Sequence, residues 1–465
     1  MSDQAMFSQL YNALVDNLGT PNFQLLGTPK DFSWGTAPTG QWDPAAYQIV
    51  SGMPQWSAIG QYGSLDATLF DAVRQIFGHV TFKVSPEQQA NQAELANLCV
   101  QKSNAMAKAN SDMDQFYLSS KQNGGLIFAA RYPDINTWLN NAPEAAAYVA
   151  AIQAATNAYN QAVKMKMELE RASMPSDLQR AIDMMQIPSG DPASNNAPAG
   201  WTKVPDGSGI LRWQPDFHID TTGADWRAAL SNGSAGAFSI AMKSSQSSSD
   251  FKSSFAKGST SVGNFFWSVN ASGGWSKSDL FNQDSSSAVK ISCESSTRVK
   301  VNPGDWYPGG FMSELAKAQQ GPGGQGYTIV APWVANGGPG SSSLFGPNGI
   351  VAARVSELLV VYKPSFEITM SANTYQQNKQ AFEASAGVRI GPFTFGGTGG
   401  HQSEYTKSTA QANTFKGSST SVNPQIIGVI VDFPGTHSPE PPRGGGTPRP
   451  GLPTPPTPVN RRQRS

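Results

Sequence analysis

Apolar and polar side chains alternate between residues 288 and 301. One face consists of every second residue, namely Val289, Ile291, Cys293, Val299 and Val301, with Ser295 and Thr297 between them. The other face carries only polar side chains, namely Lys290, Ser292, Glu294, Ser296, Arg298 and Lys300. Because the side chains of a strand point alternately to its two faces, this pattern predicts one long β-strand with a covered face and a wet face.

Two other stretches are apolar at nearly every position. Residues 426–431 are apolar apart from Gly428, and residues 355–362 have a similar character. A strand without alternation is typically covered on both faces. We therefore expect both stretches to be buried strands.

Apolar side chains spaced three and four residues apart predict helices in the first part of the chain. The predicted helices span about residues 4–18, 64–77, 85–119, 143–172 and 176–185. Ser64 and Ser85 are the expected N-caps of the second and third helices. The helices after residue 85 are expected to form an antiparallel subdomain. A helix that lies on a membrane surface is the less favoured alternative, because these helices carry few cations.

The most specific feature is an internal repeat. Three pairs of blocks correspond, namely residues 238–242 with 366–370, 262–267 with 390–395, and 295–303 with 418–424. The first two pairs share one offset along the chain, and the offset of the third pair is slightly shorter. A shared offset in separate blocks indicates a duplication. We infer two copies of one β unit, at about residues 238–308 and 366–435, which share one interior.

Composition divides the chain into five segments. They are residues 1–84, rich in Trp, Tyr, Gly and Pro, with two short helices; 85–186, the helical subdomain; 187–209, a linker; 210–436, the duplicated β-domain; and 437–465, a tail rich in Pro, Gly and Arg. The expected fold class is α+β, with a helical N-terminal region before a duplicated antiparallel β-domain. That domain would be a sandwich or a half-open barrel, and the tail would be disordered.

Each copy contains a Ser- and Gly-rich amphipathic stretch that has two interpretations. Residues 263–272 place Phe265, Trp267 and Val269 on one side and small polar side chains on the other. The favoured interpretation is a sandwich or barrel with serines on its wet face. The alternative is a hairpin that inserts into a membrane, which needs about 9–11 residues per strand. The presence of one such segment in each repeat is an architectural analogy to the paired insertion elements of pore-forming proteins, and no family-specific motif accompanies it.

The net charge and the charge density limit the classes of partner that we expect. Lys and Arg number 33, as do Asp and Glu, and charged residues are 14% of the chain, against about 25% in ordinary proteins. This balance argues against sequence-specific nucleic-acid binding, and the low charge density favours self-assembly. No basic segment precedes an apolar stretch at the N-terminus, so we expect cytoplasmic synthesis, with leaderless release as an open alternative.

Catalytic and cofactor motifs are weak. The histidines are isolated and the two cysteines lie far apart, so we expect no metal site and no cofactor. The G-x-G-x-x-G match at residues 321–326 precedes a strand pattern, whereas dinucleotide binding requires a helix there. Asp216, His218 and Asp220 share one face of a short strand and are the weak acid–base candidates. A half-exposed histidine without a catalytic role is the favoured interpretation. Cys99 and Cys293 are expected to be inert core thiols.

Aromatic side chains and arginines supply the candidate contact residues. The candidates for membrane or partner contact are Phe265, Trp267, Val269, Phe393, Phe395, Trp306 and Tyr307. In the tail, Arg443, Arg449, Arg461 and Arg462 lie among prolines, where they could bind a partner domain or an acidic surface. A solubilising tether is the favoured interpretation of the tail.

These patterns rank three functions. The first is a non-catalytic, self-assembling or binding protein that uses its β-domain as the contact surface and forms a homo-oligomer. The second is a membrane-active, pore-forming-like protein that inserts its Ser-rich hairpins into a membrane surface. The third is an enzyme without a recognisable motif.

Overall fold

A computed structural model of the chain describes residues 3–18, 22–32, 42–54, 62, 64–132, 135–206, 209–219, 228, 230, 232, 236–243, 267–271, 274–276, 286–318, 326–337, 342–346, 349–398, 401–402, 405–410, 413–421 and 423–435. The fold is α+β, as the sequence predicts. Most helices precede residue 190, and a large, curled antiparallel sheet that resembles half of a barrel follows them.

Nine α-helices lie in the described residues, of which five are near predicted positions and four, at residues 44–51, 135–141, 309–317 and 372–384, were not predicted. They are α1 (Asp3–Leu18), α2 (Pro44–Ser51), α3 (Leu69–Gly78), α4 (Gln89–Arg131), α5 (Ile135–Asn141), α6 (Ala145–Glu170), α7 (Ser176–Met184), α8 (Gly309–Lys317) and α9 (Ala372–Ala384). The predicted N-cap at Ser64 is wrong, because Thr68 is the residue that caps α3. Its hydroxyl accepts the Asp71 N–H at 3.1 Å. Helix α4 extends past the predicted end, and Gly125, with φ of 56°, interrupts it.

The strands are short except for two. They are β1 (Phe23–Asp31), β2 (Gly52–Pro54), β3 (Ser64–Thr68), β4 (Val80–Phe82), β5 (Trp201–Pro205), β6 (Leu211–Pro215), β7 (Phe217–Ile219), β8 (Phe238–Lys243), β9 (Trp267–Ala271), β10 (Gly274–Ser276), β11 (Ala288–Pro303), β12 (Tyr327–Ile329), β13 (Trp333–Asn336), β14 (Ser342–Phe345), β15 (Arg354–Thr369), β16 (Ser385–Ile390), β17 (Phe393–Thr398), β18 (His401–Gln402), β19 (Tyr405–Ala410), β20 (Thr414–Ser419) and β21 (Gln425–Asp432). Strand β5 lies inside the predicted linker.

The large sheet is built around the two 16-residue strands, β11 and β15, which pair antiparallel along most of their length. At one end of this pair, β8 joins β11, while β20 joins β15 and β19 joins β20. At the other end, β7 joins β11, while β21 joins β15 and β1 joins β21. A second sheet has the order β10-β9-β16-β17-β18. Four two-stranded sheets, β2–β3, β4–β12, β5–β6 and the parallel pair β13–β14, complete the described part of the chain.

Burial along the central strands follows the sequence pattern. In β11 the apolar positions are buried while Lys290, Glu294, Arg298 and Lys300 are exposed, which confirms the predicted wet face. Strand β21 is buried from its first residue to Val431, as its lack of alternation predicts. Such a strand needs cover on both faces.

Corresponding strands of the two repeat copies pair in the same way. Strand β8 pairs with the first half of β11, and the second half of β15 pairs with β20. The copies diverge afterwards, because β11 runs on to Pro303 whereas β20 ends at Ser419. In the second copy the Ser419 and Ser421 hydroxyls accept the N–H groups of Ser421 and Asn423, which turns the chain into β21.

Three apolar clusters form the described core. The first lies between the β7–β21 end of the large sheet and helices α2, α3, α7 and α8, with the near ends of α4 and α6. The second lies between the opposite end of that sheet, the five-stranded sheet, α1 and α9, and it extends along the other face of β1, β15 and β21; both repeat copies contribute to it. The third contains only residues of α4, α5 and α6 and the turns between them.

A buried ion pair fixes α6 against the main body. Lys166 and Glu170 are 0% and 1% exposed, and their charged atoms are 3.2 Å apart. The Lys166 ammonium also donates to the carbonyls of Phe77 and Val80, and Glu170 accepts the Phe82 N–H and the Gln92 amide. Burial lowers the pKa of Lys166, while Glu170 opposes that shift. Each charge is therefore compensated only while the other is present.

Replacing Lys166 by Met should lower the free energy of unfolding by about 3–5 kcal/mol, because Glu170 would stay buried without its cation. The exposed pair Lys164–Glu168 on the same helix is the matched control. Lys164→Met should change the free energy by less than about 0.5 kcal/mol. Urea unfolding measures both values, and equal losses in the two variants would contradict the assigned role of the buried pair.

His79 lies beside this pair and is buried without compensation. Its ring stacks on Trp333 with 4.1 Å between centroids, and neither ring nitrogen has a hydrogen-bond partner among the described residues. Burial and, to a smaller extent, Lys166 lower its pKa to about 4. The folded state therefore holds His79 neutral.

Stability should fall as the pH drops from about 6.5 towards 4, because the unfolded chain protonates His79 in this window and the folded chain does not. The contribution is at most about 3 kcal/mol. Comparing urea unfolding of the wild type and His79→Phe across this range isolates it. The difference in free energy between the two proteins should change over the window, and a constant difference would contradict the neutral, buried state.

Candidate functional site

Two segments of equal length leave the large sheet from a single cross-strand row. Lys243, Ala288, Thr369 and Thr414 are neighbours in this row, on β8, β11, β15 and β20. Insert 1 (residues 244–287) connects β8 to β11, and insert 2 (residues 370–413) connects β15 to β20. Each insert has 44 residues. Both therefore interrupt a directly paired antiparallel hairpin at the same level of the sheet.

The two inserts meet in the five-stranded sheet. Strand β9 of insert 1 pairs with β16 of insert 2, and β16 forms a tight hairpin with β17. Gly391 stands between these two strands with φ of 56°, a conformation that favours glycine and is common in tight hairpin turns. The repeat copies thus contact each other through their inserts as well as through β11 and β15.

The hydrogen-bond register of the large sheet continues in the inserts. Ala288 pairs with Thr369 in the large sheet, and Val269 pairs with Val388 in the inserts. Val269 lies as many residues before Ala288 as Val388 lies after Thr369. Phe395 precedes Thr414 by the same separation in sequence and pairs with Val388. Both pairings are therefore in the register that uninterrupted β11, β15 and β20 strands would have.

Four of the predicted contact residues lie in two cross-strand rows of this sheet. The first row is Trp267, Ile390 and Phe393, and the second is Val269, Val388 and Phe395. Directly paired residues project from the same face of a sheet, so these rows form one surface, here called the apolar rows. The side chains of Val388, Ile390, Phe393 and Phe395 are fully buried in the second cluster.

Phe393 and Phe395 are therefore inaccessible to a membrane or partner in this folded state, and their role as contact residues stays a prediction. Phe395 packs on Phe366 of β15 with 4.6 Å between ring centroids, and Phe393 lies 6.4 Å from Phe238. The sequence pattern predicts that these side chains form an accessible surface, but the large sheet covers them. Phe265 lies outside the described residues.

Helix α9 separates β15 from β16 and holds insert 2 against the large sheet. The Ser371 hydroxyl caps the helix by accepting the Thr374 N–H. On its buried side, the rings of Tyr375 and Phe382 stack on Phe415, at 4.8 and 4.4 Å between centroids. Three aromatic rings thus fasten the insert to β20.

Trp306 and Tyr307 belong to the interior of a turn. Trp306 is 0% exposed and donates its indole N–H to the Asp216 carbonyl at 2.6 Å, so this predicted contact residue is inaccessible to a membrane or partner in this fold. Tyr307 is half-buried, and the Arg354 guanidinium lies 5.5 Å from its ring centroid. Neither ring forms an exposed aromatic patch.

Asp216 and His218 come together at the edge of β7, while Asp220 lies outside the described residues. The Asp216 carboxylate is 3.3 Å from Nδ1 of His218, whose side chain is more than half exposed. Burial raises the pKa of Asp216, and His218 opposes that shift. This geometry fits a half-exposed strand histidine with one acidic neighbour.

The remaining chemical candidates offer little reactivity. Within the described ranges no group of three or more His, Cys, Asp or Glu side chains could hold a metal ion. Cys99 and Cys293 are buried, and burial raises the pKa of each thiol to about 11, as expected of inert core cysteines. A strand, β12, follows Gly326 directly, as the sequence predicts. Arg443, Arg449, Arg461 and Arg462 lie outside the described residues.

The far end of the helical hairpin exposes apolar side chains that the sequence analysis did not single out. Leu126 and Ile127 are 90% and 84% exposed. They follow Gly125, whose backbone turns the chain out of the α4 axis. The hairpin tip, residues 115–133, contains two cations, Lys121 and Arg131, and no acid. The sequence signal for this exposed tip is the glycine pair, Gly124 and Gly125, directly before two aliphatic residues.

Comparison with protein-family models, with curated proteins and with solved structures finds no significant match for this chain. In the part of the chain that the structure describes, no helix combines the length and the apolar character needed to cross a bilayer. The function must therefore be argued from the geometry of the inserts and of the hairpin tip.

Proposed function

We propose that this is a membrane-active, pore-forming-like protein whose two inserts refold into membrane-spanning β-hairpins. The sequence alone ranks self-assembly first and membrane insertion second. The proposal takes the second function and retains assembly as its requirement. Each chain would contribute four strands, whereas bacterial single-chain membrane barrels have eight or more, so several copies must join to close a barrel.

The observation that carries the proposal is the shared register. Because β16 from Gly387 to Ile390 already pairs with β9 and β17 in the register of β11–β15 and β15–β20, straightening requires no slip at these positions, and only the bulge between Ser385 and Gly387 must be removed. A one-residue slip would exchange the two faces of every strand. The refolded hairpins would therefore keep the β9–β16 and β16–β17 pairings, whereas the β9–β10 and β17–β18 pairings would open.

The length and chemistry of insert 2 suit a membrane strand. Its arms, residues 370–390 and 393–413, have 21 residues each, about twice the 9–11 that cross a bilayer. The apolar rows lie next to the Gly391 turn, so an extended hairpin would carry them at its far end. Five of the 44 residues of insert 2 are charged, so the large free-energy cost of placing a charge in lipid applies to few positions.

The second cluster opposes this refolding in the absence of a membrane. Straightening insert 2 would remove Phe393, Phe395 and Phe382 from their partners on the large sheet. Each large apolar side chain that becomes exposed costs roughly 1.5–3 kcal/mol in water. Lipid contact would restore most of that stabilisation, so the bilayer itself would favour the extended state.

A disulfide between Thr406 and Ser418 should block leakage. Their hydroxyl oxygens are 2.8 Å apart and the residues pair directly across β19 and β20, so the double variant Thr406→Cys/Ser418→Cys can form a bond. In a straight β17–β20 strand these residues would be about 40 Å apart. Dye release from liposomes should be abolished when the variant is oxidised and restored by a reductant.

The matched control is Val269→Cys/Val388→Cys, which joins the two inserts at a pair common to both states. Its oxidised form should still release dye, because straightening leaves this pair intact. Leakage from the oxidised Thr406/Ser418 variant would refute the refolding. Loss of leakage in both oxidised variants, with both reduced forms active, would refute the continuous register.

The hairpin tip supports the same class of function. Met106 packs against the first cluster, and Gly124 lies five turns farther along α4, which places the tip about 27 Å beyond that contact. Two exposed aliphatic side chains between cations match the composition of surfaces that bind anionic lipid. A narrow, convex tip can enter the headgroup region, but it offers little area to a folded protein.

Replacing Leu126 and Ile127 by Glu should weaken binding to vesicles that contain anionic lipid by at least about tenfold, because two aliphatic contacts are lost and repulsion is added. Ile210→Glu is the control, since Ile210 is 54% exposed on the β5–β6 turn, away from the tip. Vesicle co-sedimentation measures both. Unchanged binding of the Leu126/Ile127 variant would show that the hairpin tip does not contribute to membrane binding.

A further inference from the structure

A cleft of about 790 Å³ lies between the helical hairpin and the main body, separate from the inserts and from the hairpin tip. Helix α3 forms its floor, the facing turns of α4 and α6 form one wall, and the β5–β6 hairpin forms the other. Its volume is within the range of ordinary small-ligand sites, about 300–1,000 Å³. No step of the proposed membrane insertion uses this cleft.

Arg74 is the cation of the cleft that has no bonded partner. Its guanidinium lies over the Phe70 ring, 5.1 Å from the centroid, and it has neither a hydrogen bond nor an ion pair in the described part of the chain. Asp71 also lines the cleft and attracts Arg74 electrostatically, but it forms no ion pair with it, and its carboxylate accepts the Thr68 hydroxyl at 2.7 Å. The guanidinium thus has no bonded anion among the described residues, and a carboxylate or phosphate in the cleft could engage its donors in pairs.

A second buried polar group points to a ligand. Asn160 is 8% exposed and lines the cleft, and its side-chain amide has no hydrogen-bond partner among the residues described. Its amide is not fully enclosed but reaches the cleft, so a polar ligand there could supply the hydrogen bonds that buried amides normally make. Tyr47, Tyr159 and Trp213 also line the cleft, but their polar atoms donate to the carbonyls of Pro215, Gln75 and Gly190.

The side chains of the cleft walls indicate the chemistry of the uncharged part of that ligand. The α6 wall presents further amide and hydroxyl groups, those of Gln153, Thr156 and Asn157, and the opposite wall presents Trp213. Amides donate and accept, as hydroxyl groups do, whereas an apolar ligand would leave them unsatisfied. We infer that the cleft binds a small anion with a hydroxyl-bearing body, a sugar acid or a sugar phosphate, with its charge on Arg74 and a hydroxyl on Asn160.

Isothermal titration with glucuronic acid, glucose 6-phosphate and glucose tests this inference. At least one of the two anions should bind saturably and glucose should bind at least about tenfold more weakly, because it lacks the charge that Arg74 engages. Comparison of the two anions distinguishes a carboxylate site from a phosphate site. Saturable binding of neither anion, or equal binding of glucose, would overturn the inference.

Two variants locate the site. Arg74→Met and Asn160→Asp should each weaken anion binding at least about tenfold, the first by removing the cation and the second by adding repulsion with little change in shape. Arg212→Met is the matched control, because Arg212 lines the same cleft but is paired with Asp206 at 3.1 Å. Circular dichroism establishes whether each variant folds. If Arg74→Met does not fold, Asn160→Asp alone tests the assignment. An unchanged affinity in a folded Arg74→Met or Asn160→Asp protein would overturn the assignment, as would an equal loss in Arg212→Met.

Discussion

The hydrogen-bond register between β11, β15 and β20 is the constraint on which the rest of the account depends. Ala288, Thr369 and Thr414 set it at the edge of the large sheet, and Val269, Val388 and Phe395 keep it in the inserts, at one common separation in sequence. Backbone hydrogen bonds fix register only between strands that are actually paired, so a helix or loop between two sheets would ordinarily release it. Its persistence makes the five-stranded sheet and the large sheet two parts of one interrupted set of strands.

Among the described residues, the two sheets contact each other through side chains and share no backbone pairing. Phe366, Phe382, Phe395 and Phe415 interlock in the second cluster, and α9 replaces a stretch that would otherwise extend β15. Because apolar contacts are non-directional, lipid can substitute for them in a way that it cannot substitute for strand hydrogen bonds. In the proposed refolding, the side chains that stabilise the closed protein in water would also stabilise the extended hairpins in a bilayer.

Local patterns in the sequence predicted the parts of the fold that local chemistry determines. Strand β11 and its wet face, the buried strand β21 and the α+β class follow from side-chain periodicity, and the repeat follows from a shared offset. The burial of Phe393, Phe395 and Trp306 could not be read in this way, because periodicity identifies an apolar face but not what covers it. The contacts of Lys166 and the cleft around Arg74 join residues far apart in the chain, so no spacing rule reveals them.

The most direct measurement of the central claim is the distance between spin labels at positions 406 and 418, obtained by pulsed electron resonance in water and on anionic vesicles. The closed fold pairs these positions side by side on β19 and β20. A continuous strand places them about 40 Å apart. The account expects the short distance in water and the long one on vesicles that release dye. A short distance that persists in dye-releasing, membrane-bound protein would contradict it.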